Sequence, residues 1–196
     1  MDRREFLGSL AGVSALVPAL ALLPALEQEA FAQGVHARAQ GLPALRSLSP
    51  EADATLSGIA DILLPQTDTV GALQIGANRF IDLLLTESML ETDRNRFLEG
   101  LKAIDAQCVE SHGAHFSAAP RGQQEALIRA LDSHLTGREP TRAETAALAK
   151  QPVTAQHGYA LVKQLVVFAY FTSEPVAKGL INAPIIPGRY DGCVSA

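Results

Sequence analysis

The amino-acid sequence predicts an all-α fold, an antiparallel bundle of five or six helices followed by an extended, irregular C-terminal tail. The 196 residues are 47% hydrophobic and 19% charged, which is typical of a folded domain rather than a disordered chain. Ala and Leu are frequent, Trp is absent and runs of β-branched residues are few, which favours helix over sheet. Short connections between the helical segments favour antiparallel neighbours.

Residues 1–32 are predicted to be an export signal and not part of this fold. Two arginines are followed by two large apolar residues, namely Arg3, Arg4, Phe6 and Leu7. An uncharged, Ala- and Leu-rich stretch then reaches Leu26, and Ala30-Phe31-Ala32 supplies the small residues of a cleavage site. This order resembles a bacterial twin-arginine signal. An uncleaved membrane anchor is the alternative, because about 20 apolar residues can span a bilayer.

The first helix follows a predicted linker. Residues 33–48 show no apolar period, so a linker is expected there. Ser49-Pro50-Glu51 then predicts a helix start, with Ser as the N-cap, Pro at the first helical position and Glu near the positive end of the helix dipole. Pro65 is expected to end this helix, and residues 49–174 are assigned to the bundle.

Four further helices are predicted from apolar spacing and helix-end residues. The second spans 72–88, although Gly76 weakens its first turns, and the third spans 92–112, with Gly113 as its stop. The fourth starts at 117 or 120 and reaches 136. A capping box at Thr141-x-x-Glu144 predicts a short helix to residue 150.

The last helix is the best candidate for the centre of the core. From Tyr159 the sequence is apolar on most of the helix circumference, and Lys163 is its only charge before residue 174. Pro175 is expected to stop it. Residues 175–196 form the predicted tail, in which large aliphatic residues are interrupted by Gly and Pro.

Burial of the tail requires a surface to lie on. Each large aliphatic side chain left in water forgoes roughly 1.5–3 kcal/mol of burial free energy. The tail therefore either folds back on its own bundle or lies on a second chain. Gly188-Arg189-Tyr190-Asp191-Gly192 can turn sharply and present Arg and Tyr, residue types that are enriched at binding hot spots.

Motifs for chemistry are missing from the sequence. It contains no dinucleotide or phosphate loop, no nucleophile elbow and no covalent haem motif. Two cysteines cannot hold a four-thiolate iron–sulfur cluster, and a net charge of −5 without a basic block argues against nucleic acid as a partner. We therefore predict no catalytic residue and no cofactor-binding residue on this chain.

One weak metal candidate is Cys108-x-x-x-His112-x-x-His115. Cys108 and His112 are one helical turn apart, and His115 could supply a third ligand. However, Cys108 falls on the apolar face of the third helix, where a thiol acts as a small hydrophobe, and histidines are common at helix ends. We therefore predict no metal.

The second thiol, Cys193, stands four residues from the end of the sequence. In an oxidising compartment an exposed thiol tends to pair. It could pair with Cys108, form a disulfide with another subunit, or remain free, and an intersubunit disulfide is our hypothesis.

Five short stretches run from the signal to the tail: Arg3-Arg4, residues 62–72 (Ile-Leu-Leu-Pro-Gln-Thr-Asp-Thr-Val-Gly-Ala), Phe80-Ile81-Asp82, residues 170–174 (Tyr-Phe-Thr-Ser-Glu) and residues 187–193 (Pro-Gly-Arg-Tyr-Asp-Gly-Cys). In residues and in order, they resemble the gluconate 2-dehydrogenase subunit 3 family, the small subunits of membrane-associated bacterial sugar and polyol dehydrogenases. The second and the last stretch are the specific ones.

The resemblance implies a non-catalytic subunit. FAD and sugar oxidation would belong to a large flavoprotein partner of the glucose–methanol–choline type, and electrons commonly pass on to the haem of a c-type cytochrome subunit. The small subunit would carry the signal for the twin-arginine translocase and escort its folded partner to the periplasm or the periplasmic face of the inner membrane.

The residues expected to contact the partner lie in the last helix and the tail. They are Tyr170, Phe171, Ile185, Ile186, Pro187, Arg189, Tyr190 and Cys193. A free-standing periplasmic metal-binding protein and a general helical adaptor are the alternative functions.

Overall fold

The computed structural model describes residues 34–135 and 151–179, and every regular element in these two ranges is helical. Residues 34–41 are helical, and the elements that follow are α1 Pro50–Leu63, α2 Ala77–Glu87, α3 Glu91–His112, a 3₁₀ helix at Phe116–Ala118, α4 Arg121–Ser133, α5 Ala155–Phe171 and α6 Glu174–Gly179. The predicted all-α fold is confirmed. The helix predicted over 141–150 lies outside the described residues. Each helix that the structure describes is too short or too polar to cross a membrane.

Helix α5 is the central element of the bundle. It packs against α1, α2, α3, α4 and α6, and ten of its 17 residues are buried. It begins at Ala155, four residues before the predicted start, because the side chain of Thr154 caps it by accepting a hydrogen bond from the His157 backbone N–H (3.2 Å). The prediction that this apolar helix forms the core is confirmed.

The backbones of α3 and α5 touch at a pair of glycines. A Cβ atom built on Gly158 would lie 2.5 Å from the Cα and 2.6 Å from the carbonyl oxygen of Gly100. A Cβ atom built on Gly100 would lie 2.6 Å from the Cα of Gly158. Both distances are far shorter than a carbon–carbon contact of about 3.5–4.0 Å, so only glycine fits at this crossing.

The predicted helix ends are correct for α1 and α3 but not for α2. Ser49 caps α1 by accepting a hydrogen bond from the Ala52 N–H, and Gly113, with φ of 75°, ends α3. Helix α2 begins at Ala77 and not at 72, because Gly76 adopts a left-handed conformation with φ of 68° that a continuous helix cannot contain.

Residues 34–48 pack onto the bundle, which differs from the linker that the sequence predicts. Val35, Ala39 and Leu48 are buried in the core. The carboxylate of Asp82 in α2, only 1% exposed, accepts hydrogen bonds from the backbone N–H groups of three successive residues, 46–48, each at 2.8 Å. The anchor is thus a single side chain 34 to 36 residues away along the chain.

Two further side chains of α2 strengthen the attachment of residues 34–48 to the bundle. Arg79 donates to the carbonyl oxygen of Leu42 (2.8 Å), and Glu87 forms ion pairs with Arg38 and Arg46. Partly exposed ion pairs of this kind contribute little individually. We therefore assign most of the attachment to the Asp82 carboxylate and the buried aliphatic side chains.

The end of α5 also differs from its prediction. The helix ends at Phe171, and Pro175 lies in the first turn of the next helix, α6, where its missing N–H leaves no hydrogen bond unmade. Val176 and Ala177 are buried, so the first residues of the predicted tail belong to the bundle. Residues 180–196 lie outside the described part of the chain.

Candidate functional site

Three of the stretches that carry the family resemblance meet at one end of the bundle. Helix α1 is followed by the 64–73 loop, and the hydroxyl of Tyr170, at the end of α5, donates a hydrogen bond to the carbonyl oxygen of Val70 in this loop (2.8 Å). Phe80 in α2 contacts Phe168 in α5, two residues before the 170–174 stretch, with ring centroids 5.8 Å apart. Positions up to 100 residues apart in sequence are thereby joined.

The 64–73 loop has a fixed backbone. The Ala72 N–H donates to the Leu64 carbonyl oxygen (2.9 Å), which closes the loop at its base. A Cβ atom built on Gly71 would lie 2.6 Å from the backbone nitrogen of Gln66 and 2.9 Å from the carbonyl carbon of Pro65. The backbone of the two ends of the loop approaches so closely that position 71 requires glycine.

The tip of the loop carries hydroxyl groups and a carboxylate, and two aliphatic side chains are exposed nearer its base. Thr67 Oγ1 donates to Asp68 Oδ1 (2.9 Å) and lies 3.3 Å from Thr69 Oγ1. Val70 and Leu73 are 37% and 39% exposed.

His36 is buried against the same end of the bundle. Its ring stacks on Phe80 at a centroid distance of 4.1 Å, and its Nε2 atom lies 3.3 Å from Thr172 Oγ1. Burial lowers the pKa of His36 to about 4, with a smaller opposing contribution from a hydrogen bond to the Ala169 backbone. The ring is therefore neutral at pH 7 and joins the segment before α1 to α2 and α5.

Several carboxylates that could have been catalytic are engaged in structural contacts. Asp132 accepts hydrogen bonds from Lys163 and from the hydroxyl of the buried Tyr159, and the bond from Lys163 is the main cause that lowers its pKa. Asp105 accepts a hydrogen bond from the Phe116 N–H and lies 2.7 Å from His115 Nδ1. These groups connect α4 to α5 and fasten the turn after α3.

The weak metal candidate is not assembled. Cys108 is a buried free thiol on the core face of α3, as predicted, and burial, followed by the negative charge of Asp105, raises its pKa. His115 is exposed and lies against Asp105 instead. Within residues 34–135 and 151–179, no group of three or more His, Cys, Asp or Glu side chains could hold a metal ion.

Two of the predicted partner-contact residues are described. The Tyr170 side chain is buried and makes an edge contact with Phe171, which is partly exposed, with ring centroids 5.2 Å apart. In this chain Tyr170 therefore supports the loop from inside. The other positions, Ile185, Ile186, Pro187, Arg189, Tyr190 and Cys193, lie outside the described residues, as do Arg3, Arg4, Phe6 and Leu7.

Sequence reasoning missed the roles of Asp82 and His36. Asp82 left a detectable signal, because it is the only charge in the apolar run from Phe80 to Leu85. A lone carboxylate in such a run must find hydrogen-bond donors when it is buried. His36 left no comparable signal, since its neighbours in the sequence do not indicate burial.

Comparison with known proteins identifies the family of the chain. The sequence profile of the family described as Gluconate 2-dehydrogenase subunit 3 matches residues 50–188, which include α1 to α6. No curated protein and no solved structure matches the chain. The chain therefore belongs to the gluconate 2-dehydrogenase subunit 3 family.

Proposed function

We propose that the chain is the non-catalytic small subunit of a heteromeric FAD-dependent sugar or polyol dehydrogenase. In this proposal it carries the twin-arginine signal that takes the folded large flavoprotein subunit to the periplasm, and it stabilises that subunit there. The observation that carries the proposal is the family match over residues 50–188 in a chain that opens with the Arg3-Arg4 pattern.

A separate folded cargo would explain the combination of this signal with this domain. The resemblance implies that the twin-arginine route carries proteins that are already folded, often with a cofactor inserted. The proposal places FAD, and therefore the oxidation of the sugar, on the partner. It places the complex at the periplasmic face of the inner membrane, where a c-type cytochrome subunit is a further partner.

The chemistry of the described side chains supports the non-catalytic role. Asp82, Asp105 and Asp132 each accept hydrogen bonds that hold two parts of the fold together. His36 is stacked inside the bundle, and its lowered pKa makes it a poor base at pH 7. These residues are used for stability, so the proposal assigns no proton transfer to them.

The state of Cys108 supports an intersubunit role for Cys193. Cys108 is fully buried, and its raised pKa disfavours the thiolate that disulfide exchange requires. A disulfide between the two cysteines would require Cys193 to reach the core face of α3, where the Cys108 thiol is buried. We propose instead that Cys193 pairs with a cysteine of the large subunit.

Isolation of the native complex tests the proposal directly. The chain is purified from periplasm through an affinity tag after Ala196, and co-purified proteins are identified by mass spectrometry and flavin absorbance. We expect a large FAD-containing subunit. A chain that is purified alone, without flavin, would contradict the proposal.

Replacement of the arginine pair tests the escort role. Arg3→Lys combined with Arg4→Lys keeps the positive charges but removes the twin-arginine pattern, so both subunits should remain in the cytoplasm. The measurement is immunodetection of both subunits in fractionated cells. A flavoprotein that still reaches the periplasm would show that it has another route.

Deletion of residues 187–196 tests the role of the tail. The described bundle ends at residue 179, so we expect the truncated chain to retain its helical circular dichroism spectrum while it loses the large subunit. Unchanged co-purification would exclude the tail as the main contact.

A further inference from the structure

Residues 34–48, which we name the strap, are fastened to the bundle at both ends. Within the described chain, the polar contacts of the strap reach two places, namely residues 75–87, which contain α2 and the turn before it, and the end of α5. The Asp82 carboxylate holds the last residues of the strap, and the His36 ring holds its first turn against Thr172. The strap therefore bridges two helices that pack against each other.

The strap buries less apolar surface than the helix beneath it. Its fully buried apolar side chains are those of Val35, Ala39 and Leu48. Helix α2 buries five large apolar side chains, those of Phe80, Ile81, Leu83, Leu84 and Leu85. A segment with few buried contacts opens at a lower free energy than the core. The strap can therefore leave the bundle while the helices stay packed.

His36 is the titratable side chain at the apolar contact of the strap. Its ring stacks on Phe80, and its Nε2 atom lies 3.3 Å from Thr172 Oγ1. Thr172 donates its own hydroxyl proton to the Phe168 carbonyl oxygen (2.7 Å), so His36 Nε2 is the donor in the contact between the two side chains. The neutral ring thus has a hydrogen-bond partner in the closed strap.

A second proton on this ring would not meet a negative charge. Among the described residues, the groups in contact with the ring are uncharged: the Phe80 ring, the Thr172 hydroxyl and the Ala169 backbone. Burial without a carboxylate partner disfavours the charged form of histidine. The closed strap is therefore built for the neutral ring.

The charged side chains around the strap are engaged with other groups. Asp82 binds backbone N–H groups, and Arg79 donates to the Leu42 carbonyl oxygen. The remaining charges form ion pairs, namely Glu87 on α2 with Arg38 and Arg46 on the strap, and Glu174 with Lys178 on α6. The acidic groups near the strap thus have partners of their own.

We propose that the strap is an acid-sensitive switch, in which proton uptake by His36 releases residues 34–48 from α2 and α5 while the bundle remains folded. Release exposes the Phe80 ring and the Asp82 carboxylate, which are 0% and 1% exposed in the closed chain. The switch goes beyond the proposed function and does not depend on it, because it uses only contacts within the folded chain.

The pH dependence follows from the pKa of His36 in the closed and the open strap. Burial lowers this pKa to about 4 in the closed strap, and it returns to 6.5 when the ring is released into water. The open strap therefore binds the proton first as the pH falls, and closure is fully favoured only above about pH 6.5. The equilibrium constant for opening should rise about thirtyfold between about pH 8 and about pH 5.

Hydrogen exchange of the backbone N–H groups of residues 46–48, which bind Asp82, tests the switch. It is followed by mass spectrometry on the full chain, and each rate is corrected for the intrinsic effect of pH on exchange. We expect the protection of these groups to fall about thirtyfold from about pH 8 to about pH 5, while the amides of α5 keep theirs. Simultaneous loss of protection in both places would show that the strap opens only with the whole bundle, which would overturn the inference.

Variants of His36 separate its proton from other effects of acid. His36→Phe keeps an aromatic ring on Phe80 but cannot bind a proton, so the protection of residues 46–48 should be the same at both pH values. His36→Gln keeps a hydrogen-bond donor for Thr172 and should behave likewise, which covers the case that the Phe variant folds poorly. His134→Phe, at an exposed histidine that ends α4, is the matched control and should retain the full pH dependence.

Two further outcomes would contradict the switch. A pH dependence that persists in both His36 variants would assign the release to Asp82 or Glu87. Protection that is constant or rises on acidification would show that the strap accommodates the imidazolium, for instance through cation–π attraction to the Phe80 ring.

Discussion

Substitution of Gly158 by Ala should destabilise the bundle, because α3 and α5 are in backbone contact at this residue. The new methyl group would lie 2.5–2.7 Å from three backbone atoms of Gly100. These atoms cannot rotate away as a side chain can, so the helices must move apart by roughly 1 Å to reach a normal contact distance. Such overpacking typically costs about 1–3 kcal/mol, and backbone contact places this site at the upper end.

The net effect includes a gain in helix propensity. Ala is favoured over Gly in a helix by up to about 1 kcal/mol, which leaves a net loss of about 2 kcal/mol. For a domain of this size that loss corresponds to a fall of roughly 4–8 °C in the thermal midpoint. The assay is thermal and urea unfolding of the chain from residue 33, followed by circular dichroism at 222 nm.

Two control variants separate crowding from propensity. Gly122→Ala, near the start of α4, places its Cβ where no atom lies within 4 Å, so it should leave stability unchanged or raise it. Gly58→Ala places its Cβ 3.1 Å from the Phe116 ring, which can shift, so its effect should be intermediate. If Gly158→Ala is as stable as Gly122→Ala, the backbone contact between α3 and α5 at Gly100 and Gly158 is not as close as described.

Three further predictions concern the attachment of residues 34–48 and the support of the loop. Asp82→Asn replaces a carboxylate whose two oxygens accept from three backbone N–H groups by an amide with only one acceptor oxygen, and it should lower the free energy of unfolding in urea by roughly 3 kcal/mol. Asp68→Asn, on the exposed loop, should change it by less than about 0.5 kcal/mol. The pKa of His36 is about 4 in the folded chain and 6.5 in the unfolded chain, so the unfolded chain binds more protons between these two pH values. The contribution of His36 to the free energy of unfolding should therefore be fully present above about pH 6.5 and should fall by roughly 2–3 kcal/mol as the pH approaches 4. His36→Phe should flatten this pH dependence, and an unchanged profile would assign it to other groups. Tyr170→Phe removes the hydrogen bond to the Val70 carbonyl and should cost about 1 kcal/mol, with faster amide hydrogen exchange in the 64–73 loop; unaltered exchange would show that the loop is held by its own contacts.

The sequence by itself determined most of the helices and the identity of the core helix. Ser49 and Gly113 act within one turn of the chain, and the apolar circumference of α5 is visible in consecutive residues. Helix caps and periodicity are local properties, so they can be read without knowledge of the neighbours. The same reasoning placed Cys108 on the buried face of α3.

Only the tertiary structure decided how the candidate site is built. The Asp82 carboxylate binds backbone that lies 34 to 36 residues earlier, Tyr170 reaches a carbonyl group 100 residues earlier, and Gly100 faces Gly158 across two helices. Such contacts leave no period in the sequence, because each depends on one side chain, or on the absence of one, at a point where distant segments meet. The attachment of residues 34–48 and the fixed shape of the 64–73 loop therefore became visible only once the helices were packed.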